Sequence, residues 1–202
     1  MTDAPVIHTD RLTLRPYEVG DFDAYAAMVA DPVVVRHAGR PMTGEEAWMR
    51  LLRFIGHWSV FGHGLFAVLD RTSGLFLGET GFMEYRREVT PKLASSLPEA
   101  AWVFTSAAHG KGYAFEAAAA AHRWMEESHA PPATQCIIST ANHGSIRLAE
   151  RLGYRLHDAP DYRGAALRFV REVRTSMEQT QPDRRLTPLD GPPPPPHPRV
   201  HT

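Results

Sequence analysis

The first patterned stretch is Arg11-Leu12-Thr13-Leu14-Arg15, where polar and apolar residues alternate as on a half-buried strand. Pro16 ends the alternation or confines it to a sheet edge, because proline cannot donate to a ladder. From Asp21, a good N-cap, the period lengthens. Phe22, Tyr25, Ala26 and Val29 share a helical face, and Asp31-Pro32 stops it. Thr43 and Glu46 read as a capping box for a second helix, with Trp48, Leu51, Leu52 and Ile55 on its stripe, fading by Gly62. Strands follow at Leu65 to Asp70 and Leu75 to Met83, joined by Arg71-Thr72-Ser73-Gly74. The polar stretch from Arg86 to Pro98 predicts a loop, and Glu99 to Thr105 a strand.

The second half begins with an alanine-rich helix from Gly112 to about Ser128, broken by Pro131-Pro132. Gln135 to Thr140 predicts a strand. Ser145 to Leu152 predicts a short helix with Ile146, Leu148, Ala149 and Leu152 inward and Gly153 as its stop. Tyr154 to His157 and Ala166 to Val173 read as closing strands. The order is mixed, α/β in its central crossover and α+β overall. That crossover requires the strands Glu99–Thr105 and Gln135–Thr140 to run parallel. After Arg174 the composition turns polar and proline-rich, with Pro192 to Pro196 unbroken. Such a segment buries too little apolar surface to offset ordering, so the expected division is a domain over 1–174 and an extended, mobile tail over 175–202.

Composition narrows the function. An apolar share of 43% supports a buried core, and a formal net charge of −1 advertises neither a nucleic-acid nor an anionic-membrane partner. Basic charge is almost all arginine, lysine occurring only at Lys92 and Lys111. The single cysteine, Cys136, excludes a disulfide within the chain and, inside Cys136-Ile137-Ile138, reads as a small buried hydrophobe. Met1 to Pro5 lacks the pattern of a secretory signal, and no run approaches the ~20 apolar residues of a membrane span, so a cytoplasmic location is expected. The chain has 11 histidines, but His57 and His63 lack zinc-motif spacing, and no metal is expected.

The residues with the clearest chemistry are His109-Gly110-Lys111-Gly112-Tyr113-Ala114, between a strand and a helix. Glycines there allow a tight turn and a close ligand approach. The first helical turn offers unpaired N–H groups and the positive end of the dipole, which suits a phosphate. Nothing acidic intervenes before Glu116, and Lys111 adds a movable positive charge. An ordinary glycine-bearing connection fits these residues equally well. A P-loop is excluded because Gly112 follows Lys111, and a dinucleotide fingerprint because Phe115 stands where a third glycine is needed.

Over Ile7 to Val173 the sequence resembles the GNAT superfamily, and within it the branch of ribosomal-protein N-terminal acetyltransferases. Three pieces carry the resemblance. Thr9 to Pro16 looks like the branch's opening strand. His109 to Ala114, with Phe115-Glu116-Ala117, is similar to its pyrophosphate loop. Asn142-His143-Gly144-Ser145, running on to Arg151-Leu152-Gly153-Tyr154, looks like its signature of Asn, two residues and Ser before a helix ending Leu-Gly-aromatic. The resemblance implies a mixed, strongly twisted sheet of about six to seven strands flanked by about four helices, with a cofactor arm between two splayed parallel strands.

It also implies acetyl-CoA as cofactor and a primary amine as acceptor, either a protein N-terminus or a small molecule; a homodimer is compatible with it. Phe104 and Thr105 would offer backbone groups to the pantetheine, and His109, Gly110, Lys111, Gly112, Tyr113 and Ala114 would hold the pyrophosphate. Asn142 would bond the pantetheine, and Ser145 would lie near the sulfur. His109 stands where the family has Gln or Arg, and Ala149 where many members carry a tyrosine proton donor, which leaves Ser145 as donor. The expected base is Glu99, with Glu84 and Glu79 as rivals. Asn142 reads equally as a helix N-cap, Tyr154 reads as core, and Trp48, Phe54, Trp58 and Phe61 read as helix core or as part of the lining of the acceptor site. A related protein that binds the cofactor without turnover is the alternative.

Overall fold

A computed structural model describes residues 5–92, 96–162 and 164–173. The expectations for the first residues and for the tail over 175–202 lie outside the described residues. The strands are β1 (Ile7–His8), β2 (Leu12–Pro16), β3 (Leu65–Asp70), β4 (Phe76–Met83), β5 (Glu99–Phe104), β6 (Ala133–Ser139), β7 (Arg155–Asp158) and β8 (Ala166–Glu172). The helices are α1 (Phe22–Ala30), α2 (Pro32–Val35), α3 (Gly44–Phe61), α4 (Tyr113–His129) and α5 (His143–Arg151). The strands form one sheet in the order β1-β2-β3-β4-β5-β6-β8-β7, antiparallel throughout except between β5 and β6.

Two elements exceed the sequence expectation. β1 is too short to show a period. α2 begins at the dipeptide that ends α1: the Asp31 side chain accepts from Val33 N–H, and Pro32 sits at the first helical position, where its missing N–H costs nothing. The stripe of α3 is also rotated from the one expected. Ala47, Leu51, Phe54 and His57 are buried, whereas Leu52 is 39% exposed. Phe54 lies in the core and Trp48 and Trp58 pack against it, but Phe61 is 44% exposed and lines a cleft.

Alternate strand residues feed two cores, one on each face of the sheet. Phe66 and Val68 face α4 and α5, with Ala117, Ala121 and Ala149, while Leu65 and Ala67 face α1 and α3, with Tyr25 and Phe54. The alanines of α4 let that helix sit close to the sheet. Cys136 is buried as expected, and burial pushes its thiol pKa up. Among the described residues no helix is long and apolar enough to cross a membrane.

A buried polar chain links α4 to the strand that follows it. His122 Nδ1 donates to Ala118 O at 2.7 Å, so its Nε2 must accept from the Tyr154 hydroxyl at 2.9 Å, and Thr134 Oγ1 then donates to Tyr154 at 2.7 Å. Tyr154 is thus a core residue, and burial holds His122 down to about 4. His63, also buried, is likewise held down to about 4. As pH falls from about 6.5 to 4, the unfolded chain binds protons that the folded one refuses, so these histidines make stability fall. Glu79 and Glu99 oppose this, because burial pushes their pKa values up and their protonation favours the folded state as pH falls. Urea unfolding of His122→Gln should therefore show a loss between pH 7 and pH 5 smaller than wild type by about 1–2 kcal/mol. An equal loss in both proteins would refute the assignment.

Candidate active site

The sheet opens between β5 and β6. These parallel strands are in register only at Glu99 and Gln135, where Gln135 N–H donates to Pro98 O at 3.0 Å. Beyond that point β6 stays paired with β8, and β5 with β4, so the two strands part. The ladder with β4 decides which backbone groups face the gap. Thr105 N–H donates to Leu77 O at 2.9 Å, and bonding positions alternate along an antiparallel pair. Ala101, Val103 and Thr105 therefore turn their backbone groups to β4, whereas Trp102 and Phe104 turn theirs toward the gap. Thr105 O is also engaged, by Ala108 N–H. Of the pair expected to meet the pantetheine, Phe104 faces the split and Thr105 is tied into the sheet.

The gap leads to the glycine turn. Gly110 and Gly112 have φ of 75° and 80°, left-handed values that favour glycine. Among the described residues, none of the N–H groups from 110 to 115 reaches a backbone carbonyl; Glu116 N–H, bonded to Gly112 O, is the first that does. The turn is braced from the opening strand. Arg11 donates from NH1 to Lys111 O at 3.0 Å and from Nε to Glu116 at 2.7 Å, and its guanidinium lies 4.5 Å above the Tyr113 ring. Thr9 Oγ1 also donates to Glu116, at 2.6 Å. The Glu116 carboxylate is thereby paired, and the free N–H groups and exposed Lys111 face outward as groups suited to an anion. His109 turns back to donate from Nε2 to Phe104 O at 3.0 Å, which removes one acceptor from the gap.

Across the gap stands the start of α5. Asn142 caps this helix, its Oδ1 accepting from Ser145 N–H at 3.1 Å, so only its NH2 end remains to reach a pantetheine carbonyl. Ser145 Oγ accepts from the Trp102 indole N–H at 3.2 Å, a contact between β5 and α5. Ala149, at the position where the resemblance led one to look for a tyrosine donor, is fully buried and carries no proton donor.

The candidate bases have different surroundings. Glu99 is 4% exposed and held by Arg87 through Nε at 2.7 Å and NH2 at 2.6 Å, with Arg87 NH1 also on the Tyr162 hydroxyl. Burial raises the Glu99 pKa, and Arg87 opposes the rise without cancelling it. Glu79 is 1% exposed, accepts from Tyr17 OH at 2.8 Å and lies 3.7 Å from Arg50, inside the core. Glu84 lies at the wall of a cleft of about 480 Å³ lined also by Arg53, His57, Phe61 and Tyr85, with an oxygen 3.6 Å from His63 Nε2. Among the described residues no His, Cys, Asp and Glu group is placed to hold a metal. Arg11, Arg87 and Trp102 were missed by sequence reasoning. Arg11 lies inside a strand pattern, Arg87 in a loop, and Trp102 in an apolar run, and their partners lie far along the chain.

The family model for the acetyltransferase (GNAT) domain matches residues 11–155. A GnaT-family acetyltransferase from Bordetella pertussis is 37% identical, over 83% of this chain and 99% of that one, with a TM-score of 0.74. An acetyltransferase from Agrobacterium tumefaciens is 29% identical, over 85% and 96%, with a TM-score of 0.72. The spermidine N-acetyltransferase from Vibrio cholerae, solved with CoA and spermine, shares the fold at 16% identity, over 82% and 97%, with a TM-score of 0.66. The split sheet, the glycine turn of free N–H groups and these likenesses agree, and the chain belongs to the GNAT family of acetyltransferases.

Proposed function

We propose that the protein transfers the acetyl group of acetyl-CoA to a primary amine by direct attack on the thioester. The observation that carries this is the split between β5 and β6, which leaves the Trp102 backbone and the Phe104 N–H without a strand partner and ends at the free N–H groups of residues 110–115. The pyrophosphate fits that turn with Lys111 beside it, the pantetheine fits the exposed edge of β5, and the Asn142 amide and Ser145 hydroxyl meet it from α5. CoA bound to the Vibrio cholerae enzyme supports the cofactor; the acceptor is left as a protein N-terminus or a small-molecule amine.

In the reaction the amine nitrogen bonds to the thioester carbon, the carbon–sulfur bond breaks, the nitrogen loses a proton and the sulfur gains one. A backbone N–H of Trp102 or Phe104 meets the negative charge growing on the carbonyl oxygen, a role worth about 2.7–4 kcal/mol where such donors have been removed. Ser145 serves the departing sulfur. A lysine-type amine with pKa ~10.4 needs a base at neutral pH, whereas an α-amine near ~7.7–8.0 is partly neutral already. Glu99 is the proposed base, acting through water, and it serves the site also as the counter-ion of Arg87. Thiol release and product mass, measured over a panel of peptide N-termini and small amines, test the reading. Amine-dependent CoA release with an N-acetylated product is expected. Bound CoA with no amine acetylated would leave a cofactor-binding protein instead.

A further inference from the structure

The indole of Trp102 spans the split to reach the Ser145 hydroxyl oxygen at 3.2 Å. An indole nitrogen can only donate, so the direction of this bond is fixed although the hydroxyl alone could have taken either role. The backbone N–H of Ser145 is already held by Asn142. What remains is the hydroxyl hydrogen, which has no acceptor among the described residues. A hydroxyl that accepts a hydrogen bond also becomes a stronger donor, because the two bonds polarise one another.

We propose that Trp102 is a positioning residue for the leaving group: by occupying the acceptor side of Ser145, it presents the hydroxyl hydrogen to the CoA sulfur and strengthens it as a donor to the thiolate. This rests on the reading of Ser145 under Proposed function. It explains why an aromatic with an N–H, on the strand edge that faces the gap, matters beyond the area it buries. It also gives the sulfur a donor that Ala149 cannot supply.

CoA itself is the probe, and no acceptor is needed. The ionisation of its bound thiol is followed by ultraviolet absorbance and by the pH dependence of alkylation with iodoacetamide. Cys136 stays silent, since it is buried and its thiol is pushed up by that burial. Ser145→Ala should raise the pKa of the bound thiol by about one unit or more, the size of a hydrogen bond to a charged group. Trp102→Phe keeps a ring and removes the N–H, and should raise it by about half a unit. The double variant should match Ser145→Ala alone, because the indole acts only through the hydroxyl. If the phenylalanine variant folds poorly, benzothienylalanine at the same position removes only the N–H. A ring that merely packs would change CoA affinity and leave the thiol pKa alone, and that result overturns the proposal. So does an additive double variant. A thiol pKa unmoved by Ser145→Ala overturns the role of Ser145 as well, leaving the cofactor assignment intact.

Discussion

Gly112→Asp is expected to weaken acetyl-CoA binding about 100-fold or more while leaving the fold intact. Gly112 caps α4 at φ 80° and ψ −1°, and a Cβ there would meet only Arg11 NH2, at an ordinary 3.5 Å. Asp is among the better-tolerated residues in the left-handed region and among the best helix N-caps, so strain and capping roughly offset. Its carboxylate, however, would take the free N–H groups of the turn and repel phosphate. Losing two charge-assisted hydrogen bonds, at about 1.5–3 kcal/mol each, accounts for that factor or more. Calorimetry with acetyl-CoA reads the affinity, and the thermal shift on adding it should shrink in parallel. Gly112→Ala, which adds no charge, should lose far less. A folded Gly112→Asp protein with wild-type affinity would place the phosphate elsewhere.

Glu99→Gln should cost about 2 kcal/mol of stability, because it leaves the Arg87 guanidinium without its counter-ion. Breaking a fully buried pair costs about 3–5 kcal/mol; Arg87 has a quarter of its side chain in solvent, 25%, which places the cost below that range. For a domain of this size the melting temperature should drop by roughly 4–8 °C. Turnover then separates the two roles of the carboxylate. A base role predicts a fall of about 10²-fold or more at neutral pH, recovering at high pH where the amine deprotonates unaided, with acetyl-CoA affinity little changed. Lost stability without that pH signature assigns Glu99 to the ion pair alone and moves the base to Glu84, whose carboxylate reaches the open cleft.

The glycine turn was legible because its geometry is local. Two glycines next to a helix start specify backbone dihedrals and unpaired N–H groups without help from the rest of the fold. Asn142 and Ser145 could be read for the same reason, since a cap and its first turn lie three residues apart. The partner of Glu99 could not. Arg87 comes from a loop with no period, and the pair forms because Met83 lies opposite Glu99 in the β4–β5 register. Thr105 shows a finer limit. Its place beside Phe104 suggested a shared role, but the phase of the antiparallel ladder gives neighbouring residues opposite directions, and only the observed bond to Leu77 fixes that phase.

What the sequence by itself determined is the order of the long elements, the parallel crossover and the glycine turn with its unpaired N–H groups, all set by periodicity and by backbone chemistry within a few residues. The tertiary structure alone decided which backbone groups face the gap, which carboxylate is held by an arginine and which indole meets Ser145. Those are pairings between positions 12 to 43 residues apart. They depend on strand register and on how two sheet halves diverge, and nothing local in the chain encodes either.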